Sequence, residues 1–278
     1  ATGDLSLLVC DGAGPPLLGR NWLSQIPLEW GCIKVIDTSD KQKNGRDMRL
    51  KRILAKYPKL QQDKIGMVKG KKAQLNLNEG ATPTFLKARQ VPYSLRKQVE
   101  EELERLVAEG IIYPVESSEW ATPVVVVPKT GGKIRLCGDF RVTVNKNIWV
   151  DKYLLPRVED IFATLGGSVV FSKIDLRNAY LQLELAEESK ELCTLNTLKG
   201  LYRYHRIPFR VASAPAIWQR TIEQVLHGIR KTQSMIITVG ANEEEHFSIL
   251  EEVLARLDSH NITINMDKCA FLQKKVTF

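Results

Sequence analysis

From residue 93 onward, apolar residues recur at helical spacing in three segments. The first predicted helix has Ser94 as its N-cap and stops at Gly110, because serine caps free first-turn amides and glycine readily ends a helix. The second begins near Ser213, and the third begins at Asn242, which forms a capping-box pattern with Glu245. The three apolar faces comprise Leu95, Val99, Leu103, Leu106 and Val107; Ile217, Trp218, Ile222, Val225 and Leu226; and Phe247, Leu250, Val253, Leu254 and Leu257.

Strand-like runs lie between these helices. They are Thr122–Val127, Lys133–Cys137, Val169–Ile174, Tyr180–Leu185 and Ser234–Val239. Strands and helices are interspersed without the strict alternation that is typical of a doubly wound sheet. The pattern therefore predicts an α+β fold, in which helices pack on one face of an antiparallel sheet.

The first 92 residues have weaker patterns. Residues 1–35 are apolar and interrupted by glycine and proline, whereas residues 37–92 are rich in lysine and glutamine and predict a linker with one short helix near Met48–Tyr57. No apolar run approaches the length of a membrane span, and the start lacks the features of a signal peptide, so no membrane partner is expected. Five scattered cysteines without a C-x-x-C pair favour a reducing, intracellular compartment, cytoplasmic or nuclear.

The charge is distributed unevenly along the chain. The 278 residues carry a formal net charge of +8, and all of this excess lies in residues 1–90. Asp40–Lys72 alone holds 12 basic and 3 acidic residues. Because lysine and arginine contacts to phosphates release counterions, this segment suggests a polyanionic partner such as a nucleic acid. The alternative is a solvated linker that keeps the chain soluble.

Two groups of polar residues could carry chemistry. Asp175 ends the apolar run VVFSKID, and a carboxylate that leaves a buried strand can hold Mg²⁺ or simply cap the following turn. Arg135 and Arg141 flank Asp139 in KIRLCGDFR. Arginine suits a triphosphate because its planar guanidinium can bond two oxygens, although a surface network of arginine and aspartate would have the same pattern.

The order of six motifs resembles the reverse transcriptase region of gypsy-type LTR retrotransposon Pol polyproteins. The motifs are ATPTFLKARQVPYSLRKQVEEELERL, GIIYPVESSEWATPVVVVPKTGGKIRLCGDFRVTVN, FSKIDLRNAYLQ, KGLYRYHRIPF, VASAPAIWQRTI and ANEEEHFSILEEVLARL. The resemblance implies the fingers and palm of a reverse transcriptase over residues 91–278. It also implies that residues 1–35, with GPPLLGRNWLSQIPLEW, are the remnant of an aspartic protease tail and that residues 36–90 are a basic connector.

The resemblance implies a nucleotide site built from four residues. Asp175 would be the first catalytic, metal-binding aspartate of the palm, with Mg²⁺ as the cofactor. Arg135 would contact the triphosphate of the incoming dNTP, Tyr180 would lie under its sugar, and Phe209 would pack along the template and the nucleotide.

Three further residues match the motifs that meet the template. Asp139 and Arg141 would touch the template or hold the fingers hairpin, and Gln182 follows the palm aromatic as the family expects. The implied partner is therefore an RNA or DNA primer–template. The oligomeric state is left open.

The sequence also departs from the family pattern. Two further metal-binding aspartates are expected in a Tyr-X-Asp-Asp turn, yet residues 230–240 contain no acidic residue, and the nearby run Glu243–Glu245 is typical of a first helical turn. Arg210 stands where the family's Pro-Phe-Gly has glycine. The chain ends at Phe278, where the family continues into the thumb, so the thumb is expected to be absent.

Three functional hypotheses follow, and they leave open whether the chain is an enzyme. The first is a retrotransposon-derived reverse transcriptase domain that is catalytically impaired but still binds nucleic acid. The second is an active reverse transcriptase, working within a longer Pol polyprotein or with a partner. The third is a non-enzymatic interaction module or a decayed relic.

Overall fold

The computed structural model describes residues 43–132, 134–151, 153, 168–229, 232–233 and 236–274. The predicted protease tail at residues 1–35 lies outside the described residues, as do Lys133 and residues 275–278. The predicted strand Ser234–Val239 is described only in part.

Helices and short 3₁₀ turns alternate with strands along the described residues. The α-helices are α1 (Lys43–Ala55), α2 (Tyr93–Ala108), α3 (Glu187–Lys190), α4 (Ala214–Val225) and α5 (Glu243–Ser259). The 3₁₀ turns are Pro58–Gln61, Thr130–Gly132, Phe140–Val142, Val144–Lys146, Ala179–Gln182, Glu191–Cys193 and Met266–Lys268.

Eleven strands form three sheets within the described part of the chain. The strands are β1 (Lys72–Ala73), β2 (Ile112–Val115), β3 (Thr122–Pro128), β4 (Ile134–Gly138), β5 (Val170–Lys173), β6 (Glu184–Leu185), β7 (Thr194–Thr197), β8 (Gly200–Tyr204), β9 (Thr232–Gln233), β10 (Ile237–Gly240) and β11 (Ala270–Gln273). The strand orders are β2-β8-β7-β3-β4, β11-β5-β10-β9 and β1-β6. This mixture of sheets and packed helices confirms the predicted α+β class.

The five-stranded sheet carries the hairpin of β3 and β4. All its neighbouring strands are antiparallel except β3 and β7, which pair in parallel through Thr122 and Leu195. In the hairpin, Val127 pairs with Arg135 and Pro128 pairs with Ile134. Arg135 is therefore presented near the tip of the hairpin.

The four-stranded sheet is antiparallel throughout, and β5 lies inside it between β11 and β10. Ile237 of β10 pairs with Lys173 of β5, and the amide of Ile174 then donates to the carbonyl of Ile236 at 2.8 Å. Asp175 follows directly. The sheet thus places Asp175 one residue after the contact with Ile236, which lies directly before β10.

The inner faces of the predicted helices agree with the prediction except at Val107. In α2, Val99, Leu103 and Leu106 are buried, whereas Val107 is 37% exposed. Every apolar residue predicted for the face of α5 is buried. Asn242 caps α5, because its side-chain oxygen accepts the amide of Glu245 at 2.9 Å. These apolar stripes join one large hydrophobic core with the strands and with α4.

Two local predictions are wrong. The segment predicted as a strand from Tyr180 to Leu185 begins as the 3₁₀ turn Ala179–Gln182, since Asn178 adopts a left-handed conformation with φ of 46° and turns the chain. Helix α2 begins at Tyr93 after Pro92, with no side-chain cap, rather than after a Ser94 cap. Proline suits this position because it has no amide to leave unpaired.

The segment predicted as a linker packs against the body of the fold. Its helix is longer than predicted, and Leu60, Val68 and Leu75 are buried in the main core. Backbone amides join the two parts: Val68 donates to the carbonyl of Gln182 at 2.8 Å, and Ile264 donates to that of Leu60 at 2.9 Å. Burial of each apolar side chain contributes about 1.5–3 kcal/mol, so this contact is a substantial part of the fold.

No helix within the described ranges is both long enough and apolar enough to span a bilayer.

Candidate active site

Asp175 lies at the end of β5, where neighbouring segments fix its backbone. Its carbonyl accepts the amide of Asn265 at 2.8 Å, and its own amide donates to Sγ of Cys269 at 3.4 Å. Burial raises the pKa of the Cys269 thiol to about 11. A neutral thiol therefore packs on the backbone of Asp175, while the aspartate side chain itself stays partly exposed.

The strands next to Asp175 bring no second carboxylate to it. Residues 230–240, which include β9 and β10, contain no aspartate or glutamate. Across the described residues, no group of three or more histidine, cysteine, aspartate or glutamate side chains is arranged to hold a metal ion. Asp175 thus lies at the end of a buried strand, and the neighbouring strands β10 and β11 add no carboxylate to it.

The three predicted nucleotide-binding residues lie in one row. The guanidinium of Arg135 lies over the ring of Phe209, 5.8 Å from its centroid, and the rings of Phe209 and Tyr180 are 5.3 Å apart and tilted by 58°. Burial raises the pKa of the Tyr180 hydroxyl, so this group is neutral near pH 7. A cation followed by two aromatic rings can bind an anionic group that is joined to a flat or apolar one.

A cavity of about 670 Å³ opens beside this row. Its lining comprises Gln98, Glu101, Glu102, Arg105, Leu106, Lys129, Gly132, Ile134, Arg135, Leu136, Asn178, Leu181, Tyr204 and Phe209. Lys129 and Arg135 contribute positive charge to its lining. On the α2 wall, Arg105 pairs with Glu102 at 2.7 Å.

Asp139 is a buried carboxylate at the base of the β3–β4 hairpin, and it forms ion pairs with two arginines. Its carboxylate accepts Nε of Arg141 at 2.9 Å and an Nη of Arg89 at 2.7 Å, and its side chain is only 3% exposed. The hydrogen bond from Arg141, followed by that from Arg89, lowers the pKa of this carboxyl. Of the predicted alternatives for Asp139, this geometry suits holding the hairpin, whereas the side chain of Arg141 is 72% exposed and can reach a ligand.

Gln182 faces the protein interior. Its buried amide nitrogen donates to the carbonyls of Arg177 and Thr263, both at 2.8 Å, and its amide oxygen accepts the backbone amide of Thr263 at 2.7 Å. These bonds use both polar atoms of the side chain inside the protein. Its physical role is to fix the turn that follows Asp175 against the segment around Thr263.

Arg210 adopts a left-handed backbone conformation, with φ of 73°. Asn145 clamps the turn, because its side-chain nitrogen donates to the carbonyl of Arg210 and its oxygen accepts the amide of Ala212, each at 2.9 Å. A left-handed conformation is costly for a residue with a Cβ atom and free for glycine. This backbone requirement accounts for the glycine that the family motif has at this position.

Sequence reasoning missed Arg89, Asn145 and Cys269 as parts of the site. Arg89 and Asn145 lie inside quoted motifs, in ATPTFLKARQ and FRVTVN, so their position was a usable signal. Cys269 lies beyond every quoted motif, and only the fold brings it to Asp175.

Comparison with known families decides what the chain is. The family model described as "Reverse transcriptase (RNA-dependent DNA polymerase)" matches residues 127–278, which is more than half of the chain. The chain belongs to the reverse transcriptase family. This match contains Arg135, Asp175, Tyr180 and Phe209.

Curated relatives of this reverse transcriptase domain are much longer proteins. The chain is 36% identical over 271 residues to protein K02A2.6 of Caenorhabditis elegans, covering 94% of the chain and 21% of the relative. It is 31% identical over 218 residues to the retrovirus-related Pol polyprotein from transposon 412 of Drosophila melanogaster, covering 74% of the chain and 17% of the relative. The domain thus spans about a fifth of the length of these relatives.

Solved structures have the same fold. The prototype foamy virus protease–reverse transcriptase superposes with a TM-score of 0.75 at 24% identity, over 84% of this chain and 32% of that one. A foamy viral protease–reverse transcriptase in complex with RNA/DNA hybrid gives a TM-score of 0.76 at 21% identity, over 88% of this chain and 33% of that one. These similarities establish a reverse transcriptase fold for the described sheets and helices.

Asp139→Asn is expected to lower the free energy of unfolding by about 1–3 kcal/mol at pH 7, because it removes charge-assisted hydrogen bonds from two arginines. The folded pKa of Asp139 lies below its unfolded value of about 3.9, so the carboxylate stabilises the fold above that pH. The contribution is lost as the pH falls through the folded pKa. Urea unfolding of both proteins from pH 7 to pH 2 measures the difference. A difference that stays constant over this range would contradict the assignment, and the exposed carboxylate Glu79, changed to Gln, serves as the control.

Arg210→Gly is expected to raise the free energy of unfolding by about 0.5–1 kcal/mol. Glycine avoids the steric cost of the left-handed conformation, but the greater entropy of glycine in the unfolded chain offsets part of this gain. Arg210→Ala keeps the Cβ atom and is expected to give no such gain. Thermal and urea unfolding of the three proteins measure the effect. Equal stabilisation by alanine would show that removal of the arginine charge, rather than backbone conformation, is responsible.

Proposed function

We propose that this chain is the fingers and palm of a gypsy-type LTR retrotransposon reverse transcriptase, with impaired polymerase activity and a retained surface for nucleotide and nucleic acid. The observation that carries the proposal is the composition of the hairpin beside Asp175. Residues 230–240 supply no carboxylate there, although the sheet register brings this segment next to the end of β5. The Tyr-X-Asp-Asp turn of the family is therefore inferred to be missing.

Reverse transcriptases in general use divalent metal ions, and Mg²⁺ is the ion proposed for this chain. Transfer of a nucleotidyl group with two ions needs several carboxylates that neutralise and position both charges. The residues present do not fit that requirement, because Asp175 has no neighbouring carboxylates in a metal-binding group among the described residues. Loss of electrostatic stabilisation of this kind typically costs several kcal/mol in a transition state, which supports impairment of catalysis.

Binding of a nucleoside triphosphate is supported by the arrangement of three side chains. Arg135 can donate two parallel hydrogen bonds to phosphate oxygens, and Lys129 adds positive charge on the same wall of the cavity. Tyr180 and Phe209 then offer ring faces to the sugar and base. These residues bind and orient a nucleotide, which requires no carboxylate pair.

A primer–template partner is supported by the exposed arginines of the fingers. The Nε of Arg141 donates a hydrogen bond to Asp139. Most of the arginine side chain remains exposed and can contact phosphate oxygens. Foamy viral protease–reverse transcriptases of the same fold are described in complex with ds DNA and with RNA/DNA hybrid. We extend this partner class to the present chain. The side-chain amide of Gln182 is hydrogen-bonded to Arg177 and Thr263 inside the protein, so Gln182 is not included in the proposed template surface.

The length of the relatives favours a second candidate function. Because the chain spans only about a fifth of the first curated relatives, an active reverse transcriptase within a longer Pol polyprotein, or with a partner, is the alternative. The predicted protease tail at residues 1–35, the basic connector at 36–90, the domain at 91–278 and an intracellular location belong to either proposal. A non-enzymatic module or relic would neither extend a primer nor bind hybrid.

The chain as it stands is expected to give no template-directed extension of an RNA-templated primer with dNTPs and Mg²⁺. A graft that inserts the family's Tyr-X-Asp-Asp turn between Arg230 and Ile237 is expected to restore extension, because it returns two carboxylates to the side of Asp175. Gel-resolved primer extension measures both. Asp175→Asn in the graft is the matched control and should abolish the restored activity. Extension by the unaltered chain that Asp175→Asn abolishes would contradict impairment.

Arg141→Gln is expected to weaken binding of an RNA/DNA hybrid and to lower the slope of log affinity against log salt by about 1, since one phosphate contact is lost. Filter binding between low and moderate salt measures this slope. Arg52→Gln, which changes an exposed arginine of α1, is the control and should leave the slope unchanged. No detectable binding by the unaltered, folded chain would contradict the retained nucleic-acid surface and favour the relic.

A further inference from the structure

We propose that the basic helix α1 is an electrostatic strap, which docks on the acidic first turns of α5 and so makes the segment before the reverse transcriptase motifs a working part of the fold. The occupant of this acidic surface is a named segment of the same chain, Lys43–Tyr57. The proposal is independent of whether the domain polymerises or binds nucleic acid.

Three ion pairs join the strap to α5. Arg46 pairs with Glu243 at 3.0 Å, Arg49 pairs with Glu244, and Lys56 pairs with Glu251 at 2.5 Å. The pairs follow one another along both segments, so the charges are matched in order rather than gathered at one point. The pair of Arg46 is the least exposed, with 18% of the arginine side chain accessible. Reduced exposure strengthens an ion pair relative to one in open solvent.

An apolar anchor lies beneath the ion pairs. Ile53 and Leu54 of α1 are buried in the main core, and Tyr57 packs against it. On the outer side, the guanidinium of Arg49 lies 4.4 Å from the ring centroid of Phe247, a buried residue of α5. The strap is therefore apolar and buried at Ile53 and Leu54, whereas its arginines form ion pairs with α5.

The acidic surface that receives the strap belongs to the helix that supports the four-stranded sheet. His246 follows Glu243 and Glu244 in α5, and its Nε2 is hydrogen-bonded to Oγ of Ser172 in β5 at 2.8 Å. Burial lowers the pKa of His246 to about 4, and the charge of Arg46 is a second cause. Arg46 thus lies close enough to influence the residue that joins α5 to the strand before Asp175.

The basic composition of α1 also argues that the helix depends on docking. Its 13 residues include Lys43, Arg46, Arg49, Lys51 and Arg52 against one acidic residue, Asp47. Isolated helices of this length are marginal in water, and like charges on one helix destabilise it further. Pairing with α5 removes this repulsion. Three of the 12 basic residues in Asp40–Lys72 are consequently paired with acidic residues of α5.

Hydrogen exchange in the full 278-residue chain tests the strap. The double variant Arg46→Glu with Arg49→Glu is expected to speed exchange of the α1 amides by about tenfold or more, since two attractive pairs become repulsive. Exchange of the amides in the β3–β4 hairpin should stay unchanged, because this hairpin belongs to the five-stranded sheet and not to the sheet that α5 supports. Arg52→Glu is the matched control, because Arg52 is exposed on the same helix, and it is expected to change α1 exchange by less than about twofold.

A charge swap makes the test specific. Glu244→Lys is expected to restore slow exchange of α1 when it is combined with Arg49→Glu, and not when it is combined with Arg52→Glu. Equal exchange in the double variant and in Arg52→Glu would overturn the proposal. If the double variant fails to fold, the unaltered chain is measured in low and high salt instead. Selective acceleration of α1 by salt supports the strap, and no acceleration, or equal acceleration of the hairpin, overturns it.

Discussion

The antiparallel pairing of β5 with its neighbours is the constraint on which the candidate site depends. Because β5 lies between β11 and β10, both of its edges are used, and the chain that leaves it has one direction in which to continue. Asp175 is held there by a hydrogen bond from Asn265 and by the thiol of Cys269. The identity of the residues beside it is then set by register alone, so a change in the composition of β9 and β10 directly alters the chemistry at this point.

The proposed loss of catalysis and the proposed binding of a nucleotide involve different parts of the fold. The row of Arg135, Phe209 and Tyr180 is built from the five-stranded sheet and from turns, and its contacts do not pass through the hairpin beside Asp175. The proposed absence of carboxylates from the hairpin is therefore compatible with an intact row of Arg135, Phe209 and Tyr180.

The sequence predicted the helices that depend only on residues close together in the chain. The helical period of α2 and α5 and the cap at Asn242 require no knowledge of distant residues, and they were predicted correctly. The turn at Tyr180 was missed because it depends on Gln182, whose amide bonds to Thr263, 81 residues away in the chain. The run Tyr180–Leu185 alternates apolar and polar residues, and this alternation favours a strand without revealing such a partner.

The candidate site divides in the same way. Arg135, Tyr180 and Phe209 were identified from motifs, and the structure brings them together, whereas Arg89 became visible only through its contact with the buried carboxylate of Asp139. The basic segment shows a different limit of the sequence. Its charge was visible, but the acids that pair with Arg46 and Arg49 lie about two hundred residues later in α5, so the sequence did not predict these ion pairs.

The burial of Leu60, Val68 and Leu75 has a practical consequence for how the protein can be cut. The close approach of Gly66 to Asn261, where an added Cβ would lie 2.3 Å from the carbonyl oxygen, shows how tightly this early segment is fitted. A fragment that starts at residue 91 would lose six core side chains and uncover the apolar surface that they cover. These are Ile53, Leu54, Leu60, Val68, Ala73 and Leu75. Recombinant versions of the domain should therefore begin before Lys43. The boundaries of the sequence motifs are a poor guide to the segment that can fold on its own.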